Sequence, residues 1–380
     1  MKELRRGFTT GSCAACASKA ACRMLFSRKE ISEITIETPG GVEYTARIHY
    51  VNINKNAAKC AVLKDGGDDP DVTTGLYIYS EVEIMSTKSE PDPLTDGIII
   101  HIDGGEGVGR VTRSGLDQAV GEAAINSVPR MMIREAVLSE ALAAGFSGEL
   151  KVVISVPGGS ETALKTFNPR LGIEGGISIL GTTGVEEPMS KQALIDTIET
   201  EMKVVRAQGL MDVAVTPGNY GREYMQRAYG YDLDRSVKCS NFIGDAIVLA
   251  RKTGFKRMLL TGHIGKLIKL SGGITNTHSA EGDCRMELLA ASALRAGCDR
   301  EVCLGILDCV STEAAICLLK ESDKYDKVIE DVFSRIMDTL KRKADGEIEI
   351  ECIMYSNDHG EIAGSKGAPR LLEIIKRGIR

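Results

Sequence analysis

The chain has no tryptophan, and aromatic residues make up only 4% of it. Extended stacking of nucleic-acid bases therefore has little to build on. Net positive charge is missing too: the formal charge is −6, which argues against a general binder of nucleic acid or anionic membrane. It leaves room for a local basic pocket that takes an anionic small molecule. No window approaches about 18 uninterrupted apolar residues, so no membrane span is expected. The start, Met1-Lys2-Glu3-Leu4-Arg5-Arg6, is basic, but Ala, Cys and Thr follow it rather than a leucine-rich stretch. No secretory signal is expected from that pattern. There are five histidines, His49, His101, His263, His278 and His359, and none stands in an H-E-x-x-H pair. Catalytic zinc is not expected, and no protein-bound metal is. G-x-S-x-G is missing, so hydrolase chemistry has no support.

What is present fits a globular protein of one large or two ordinary domains: 380 residues, 43% hydrophobic and 26% charged. Eleven cysteines are scattered along it, the pattern of reduced thiols in the cytoplasm. Cys13-x-x-Cys16 is half of a zinc or redox motif, but no second pair and no nearby histidine completes it. On a helix those two share a face with Ala17, Ala20 and Ala21, which predicts small-residue packing.

Residues 1–147 look like an α+β domain. A GFTTGS turn leads into a helix from about Ala14 to Leu25, with Ser12 as its N-cap. "EITIET", "VEYTARIHYVNI", "KCAVLKD" and "EVEIMST" alternate with period two, as half-buried strands do. "DGIIIHIDGGEGVGRVT" is a further strand running into glycines, and "PRMMIREAVLSEALAAG" a helix beginning after Pro129. Residues 148–274 repeat strand, glycine loop and helix: "ELKVVISVPGG", "GISILGTTG", "MDVAVTPGNYG" and "KRMLLTGHIGK". That repetition predicts a doubly wound, mostly parallel, Rossmann-like α/β domain, with four glycine turns gathered at one rim. Residues 275–380 read as helices plus one late strand, "EIEIECIMYS", expected to return to the first domain's sheet.

Several motifs leave alternatives open. Gly104–Arg110, "GGEGVGR", matches neither the dinucleotide nor the Walker pattern, so it is a ligand loop or a plain turn. Arg110 beside it could clamp a carboxylate. "DGGDDPD" is a cation loop, a solvated acidic turn, or a site where crowding raises one acid's pKa. Thr9, Thr10 and Ser12 stand where a helix N-terminus would meet an anion or simply be capped. His263 lies in a strand-end loop with Lys266 three residues on.

Taken in order, "RRGFTTGSCAACASKAA", "KDGGDDPDVTTG", "GGEGVGRVT", "FNPRLGIEGGISILGTTG", "PGNYG", "SNFIG" and "GHIGKLIKLSGGITNTHS" resemble the CbiD family. The resemblance runs from residue 4 to about 280. It implies transfer of a methyl group from S-adenosylmethionine to C1 of a cobalt-containing tetrapyrrole, cobalt-precorrin-5B, giving cobalt-precorrin-6A. Nothing in the family's pattern assigns roles to residues, so the roles are placed by chemistry. Gly181, Thr182, Thr183 and Gly184, with Pro217, Gly218, Asn219, Tyr220 and Gly221, are the candidate S-adenosylmethionine pocket. Arg6, Thr9, Thr10, Arg110, Arg170 and Lys266 are candidates for the tetrapyrrole's carboxylates. Asp68, Asp69 and His263 are candidate proton acceptors. No nucleic-acid or membrane partner is expected, and a homo-oligomer stays open. Behind this stand a nucleotide-dependent phosphotransferase, using residues 9–12 and 104–109 for phosphates, and a non-catalytic tetrapyrrole carrier.

Overall fold

The computed structural model describes residues 4–85 and 97–378. The end of the expected "EVEIMST" strand, the first residue of "DGIII", the first three residues of the basic start and the last two of the final helix lie outside the described residues. The chain is mixed α/β and divides into two compact units, Met1–Ser190 and Lys191–Arg380.

The first unit opens with Gly7–Phe8 (β1) and Thr10–Ser27 (α1). Glu33–Glu37 (β2), Glu43–Ile53 (β3), Ala57–Leu63 (β4), Tyr77–Met85 (β5) and Ile98–Gly104 (β6) follow. Then come Arg110–Val111 (β7), Ser127–Ala143 (α2) and Gly148–Ser155 (β8). Six of these strands make one sheet in the order β2-β3-β4-β5-β8-β6. Its pairs are antiparallel except β6 with β8. One face packs on α1 and α2, so the strands alternate: in β8, Leu150, Val152 and Ile154 are buried between less buried neighbours. Helix α1 is buried on nearly every side, and Cys13, Cys16, Ala17, Ala20 and Ala21 all lie in the core. Residues that small let the helix approach both the sheet and α2. Burial pushes the Cys13 thiol up to about 11 and Cys22 to about 12, which suits packing rather than chemistry. The α1 N-cap is Thr9 rather than Ser12: its side chain accepts from the Ser12 amide. Helix α2 starts before Pro129, which sits in the first turn, where no intrahelical amide bond is lost.

One ion cluster ties this unit's loops together. Lys64, at the end of β4, is buried with its Nζ 2.5 Å from Asp71 and 2.6 Å from Glu186. Burial alone would raise Asp71, but the Lys64 ammonium and the Thr73 hydroxyl and amide outweigh it and hold the acid below its ordinary value.

The rest of the first unit holds Gly159–Ala163 (α3), Asn168–Leu171 (α4), Ile173–Glu174 (β9) and Val185–Glu186 (β10). In the second unit come Lys191–Ala207 (α5), Asp212–Thr216 (β11), Arg222–Tyr229 (α6), Val237–Lys238 (β12), Ile243–Lys252 (α7), Arg257–His263 (β13) and Ile264–Leu267 (α8). Arg285–Ala296 (α9), Arg300–Leu307 (α10), Thr312–Lys320 (α11), Tyr325–Ala344 (α12), Glu349–Ser356 (β14), Gly360–Gly364 (β15) and Ala368–Gly378 (α13) complete it. Its sheet has the order β12-β11-β13-β14-β15, parallel through β14, with β15 antiparallel at the edge. Val213, Val215, Met258, Leu260, Ile350 and Cys352 pack into a core with α5, α7, α9 and α12. Ala214, Leu259, Ile353 and Tyr355 pack the opposite way, against α6 and α13. With both faces covered, β13 is buried almost throughout.

Three expectations need correction. The unit boundary lies at 190/191, not 147/148, because β8 joins the first sheet. Its alternation of Leu150, Val152 and Ile154 with Lys151 and Val153 is the mark of a sheet covered on one face. "GISILGTTG" is not a strand of the parallel sheet: Ile177 and Ile179 make isolated bridges to Val108 and Ile125. The segment 275–380 does not return to the first sheet, since β14 pairs along its length with β13.

Replacing Lys64 by methionine leaves two carboxylates facing a buried gap. We expect a loss of about 3–5 kcal/mol, read by urea unfolding. Asp71 has a depressed folded-state pKa, so its share of stability is present above an unfolded value of about 4 and is lost as pH falls through the folded value. The Lys64→Met variant should lose that share of the acid sensitivity.

Candidate functional site

Within the second sheet β11 and β13 are neighbours, while β12 lies outside β11. Counted within the sheet, the order is 2-1-3-4-5. In parallel sheets a crevice opens where the order reverses, beyond the carboxyl ends of the central strands. There the structure has a small cleft, with space of about 10 Å³ for water, lined by Thr216, Pro217, Gly218, Tyr220, Gly262, His263, Lys266 and Tyr355.

Each wall has a local cause. Thr216 ends β11 and its hydroxyl donates to the Gly218 carbonyl at 3.0 Å, folding the turn back. Tyr355, the penultimate residue of β14, is buried, and its hydroxyl donates to the Tyr220 carbonyl. Gly221 has φ +84°, and a β-carbon there would lie 2.0 Å from the Tyr355 ring. A β-carbon at Gly218 meets nothing within 4 Å. One glycine is thus required by packing, and the other borders open space. His263 stands between two rings, with centroids 6.2 Å from Tyr220 and 6.2 Å from Tyr355. The few aromatics of this chain are locally concentrated.

Both nitrogens of His263 are engaged. Nδ1 accepts from the Gly265 amide at 3.0 Å, capping α8. Nε2 lies 2.7 Å from Glu313 Oε1, whose other oxygen accepts from the Ser356 hydroxyl at 2.7 Å. Nδ1 as acceptor ties His263 to the turn after β13, with Nε2 beside the carboxylate.

Lys266 is the cation of the cleft. Its Nζ donates to the carbonyls of Pro217 at 3.2 Å and Ser240 at 3.4 Å. Burial lowers its pKa, and among the described residues no carboxylate reaches it. Cys239 beside it is neutral, its thiol pushed up to about 12 by burial.

The other candidate residues lie elsewhere. Gly181, Thr182, Thr183 and Gly184 belong to the first unit, where they pack on the start of α1. A β-carbon at Gly181 would come within 2.3 Å of the Thr9 hydroxyl. The Gly184 carbonyl accepts from the Thr9 amide at 3.2 Å and the Ser12 hydroxyl at 2.7 Å, and the Thr183 carbonyl accepts from the Gly40 amide at 2.8 Å. Thr9 and Thr10 are buried, and the Thr10 hydroxyl accepts from the Leu180 amide at 2.9 Å. The four glycine turns are therefore not strand ends of one sheet, and the expected shared rim is corrected to the two turns of the second unit. The 104–110 loop is a turn shaped by close backbone packing: a β-carbon at Gly107 would lie 1.8 Å from the Val156 carbonyl oxygen. The phosphate sites of a phosphotransferase are thus filled by the chain itself.

Arg110 is held by Asp103 at 2.7 Å and also donates to the Gly104 carbonyl at 2.8 Å. Arg6 pairs with Glu187 at 3.2 Å on an exposed surface. Arg170 lies on α4, where its carbonyl accepts from Arg113. In the acidic loop, Asp68 accepts from the Arg5 amide at 2.7 Å, Asp69 from the Met189 amide at 2.9 Å, and Asp65 pairs with Arg5 at 2.6 Å. The loop is a structural knot, with Asp71 on Lys64.

Of the candidates, the second-unit cleft gathers Pro217, Gly218, Tyr220, His263 and Lys266. Asn219 shapes the same turn, its carbonyl accepting from the Arg222 amide. Thr216, Gly262, Tyr355 and Glu313 were missed. Tyr355 had a usable signal, since it ends an apolar strand, but that strand was assigned to the other sheet. Nothing in the sequence links Glu313 to His263.

A cleft at the carboxyl ends of parallel strands, with glycine turns and a half-buried cation, is where α/β proteins commonly place a ligand. Comparison with known families makes this specific. The CbiD model matches residues 1–188, and the model of the CbiD C-terminal domain matches residues 276–366. A cobalt-precorrin-5B C(1)-methyltransferase of Ruminiclostridium cellulolyticum is 44% identical over 361 residues, 95% of this chain and 91% of that protein. Another, of Alkaliphilus metalliredigens, is 42% identical over 376 residues, 99% of this chain and 96% of that protein. A solved structure of a cobalamin biosynthesis protein (CbiD) from Archaeoglobus fulgidus is 29% identical, covering 75% of this chain and 84% of that one with a TM-score of 0.39. The chain belongs to the CbiD family.

The two glycines of the 217–221 turn should separate. Gly221→Ala, strained by φ and by the Tyr355 ring, is expected to cost about 1–3 kcal/mol. Gly218→Ala should stay within about 0.5 kcal/mol of the parent. Urea or thermal unfolding of the two variants side by side checks the contrast.

Proposed function

We propose that this chain methylates C1 of cobalt-precorrin-5B with S-adenosylmethionine, giving cobalt-precorrin-6A in cobalamin biosynthesis. Relatives bearing that enzymatic name align over nearly the whole chain. The observation that carries the donor site is the cleft between the ends of β11 and β13. We read its sheet as a doubly wound, Rossmann-like domain, on the strand order and the helices over both faces.

The residues present suit the donor. Gly218 leaves room for close approach, the exposed Tyr220 offers a ring face, and Lys266 holds a charge that no acid among the described residues offsets. The donor supplies an activated sulfonium methyl: its S–CH3 bond breaks as the bond to C1 forms, S-adenosylhomocysteine departs, and the ring loses a proton as its double bonds rearrange. The chain's part is to place donor and acceptor in line, which can supply roughly 7–11 kcal/mol in favourable cases. The 217–220 turn confines the nucleoside. The Tyr355 hydroxyl, bonded to the Tyr220 carbonyl, and the His263–Glu313 pair keep the turns after β11 and β13 from drifting.

Mass spectrometry of cobalt-precorrin-5B after incubation with protein and S-adenosylmethionine should show the gain of one methylene. Saturating S-adenosylhomocysteine should raise the melting temperature, by about 2.7 kcal/mol of stabilisation at a hundredfold excess over Kd. Gly218→Leu, filling the cleft, should abolish that shift. Bound tetrapyrrole with no mass gain would mark a carrier instead, and stabilisation by ATP with magnesium alone would mark a phosphotransferase.

A further inference from the structure

Resting on that reading of the cleft, we infer that Lys266 is the anchor for the α-carboxylate of the methyl donor, the group that fixes which way the sulfonium points. Among the described residues the ammonium's hydrogen-bond partners are carbonyl oxygens, Pro217 after β11 and Ser240 after β12. Those two acceptors leave one N–H of the ammonium for a ligand. The neighbouring ionisable groups do not neutralise it: Cys239 is a buried thiol and Lys269 carries the same charge. Lys269 itself is satisfied by the carbonyls of Thr277 and Gly282, with Asp283 3.7 Å away. Of the other titratable groups in the cleft wall, His263 lies beside Glu313 and the Tyr355 hydroxyl donates to the Tyr220 carbonyl, and none is an anion. A half-buried charge of this kind is costly until an anion joins it.

The geometry favours a slim anion over a broad one. The cleft is narrow, with about 10 Å³ open to water, and Lys266 shares its lining with the strand-end residues Thr216, Gly262 and Tyr355. An amino-acid tail reaches such a place as a chain of single-bonded atoms, while a macrocycle brings its carboxylates on a wide, stiff frame. With the carboxylate on Lys266 and the nucleoside under the 217–220 turn, the sulfur between them is held at two ends. Donor orientation then comes from one ion pair and one turn.

The test uses the full chain and three nucleosides: S-adenosylhomocysteine, its decarboxylated analogue and methylthioadenosine, which lacks the whole amino-acid tail. Calorimetry on the wild type should show S-adenosylhomocysteine binding about 10- to 100-fold tighter than the decarboxylated analogue. Lys266→Gln keeps a donor for the carbonyls but not the charge. It should erase that difference and leave methylthioadenosine affinity unchanged, while Lys266→Arg should keep most of it. A difference that persists in Lys266→Gln, or equal weakening of all three nucleosides, overturns the assignment. So does an unchanged S-adenosylhomocysteine affinity with a raised KM for the tetrapyrrole, which would give the lysine to the macrocycle. If Lys266→Gln fails to fold, the wild type still decides, because equal affinities for the first two nucleosides overturn it. A wild type that binds none of the three overturns the donor cleft itself, and this assignment with it.

Discussion

The second unit is organised by the parallel pairing of β13 between β11 and β14. That pairing puts Thr216, His263 and Tyr355 at the same end of three adjacent strands. It sends the chain out of β11 toward one edge and out of β13 toward the other, so the crevice between them is left for a ligand. The cleft's polar groups follow from it. Tyr355 holds the Tyr220 carbonyl because β14 lies one strand away, and Gly221 is glycine because that ring fills the place of a side chain. Lys266 reaches the carbonyls after β11 and β12 because α8 begins where β13 stops. Ser356, one residue past Tyr355, completes the support by holding Glu313 against His263.

The first unit solves a different problem with similar residues. Its glycines let backbone approach backbone: Gly107 against Val156 and Gly176, Gly181 against Thr9, Gly184 against Ser12 and Thr38. Its clustered acids are bound to Arg5, to Lys64 and to backbone amides. Motifs that look like ligand loops in one dimension are here the stitching of a folded domain. Cys13 and Cys16 fall under the same description, as small buried residues between a helix and a sheet.

Much of the architecture was readable from pattern. The period-two alternation of "EITIET", "VEYTARIHYVNI", "KCAVLKD" and "EVEIMST" marked half-buried strands, and their described residues lie in the first sheet, where β5 begins earlier than that pattern, at Tyr77. The glycine turns after β11 and β13 marked strand ends, and they form the cleft. Errors came where a local pattern fits two partners. The β8 segment alternates like its true neighbours in the first sheet, but the glycines after it suggested membership of the later series. The β14 segment is apolar enough for either sheet, and some 85 residues of mostly helical sequence separate it from β13.

The sequence by itself determined most of the local vocabulary: most of the helices and strands, the packing role of Cys13 and Cys16, and through its ordered motifs the family to which the chain belongs. Only the tertiary structure decided which strand lies beside which, and therefore which turns face one another and which charges are left without a partner. The physical reason is that a strand's inward and outward faces are written in its own residues, whereas its neighbour is chosen by shape and burial summed over distant segments. Lys64 and Lys266 look alike in the chain. One is closed off by two acids 7 and 122 residues away, and the other is left in a crevice where, among the described residues, its partners are carbonyl oxygens.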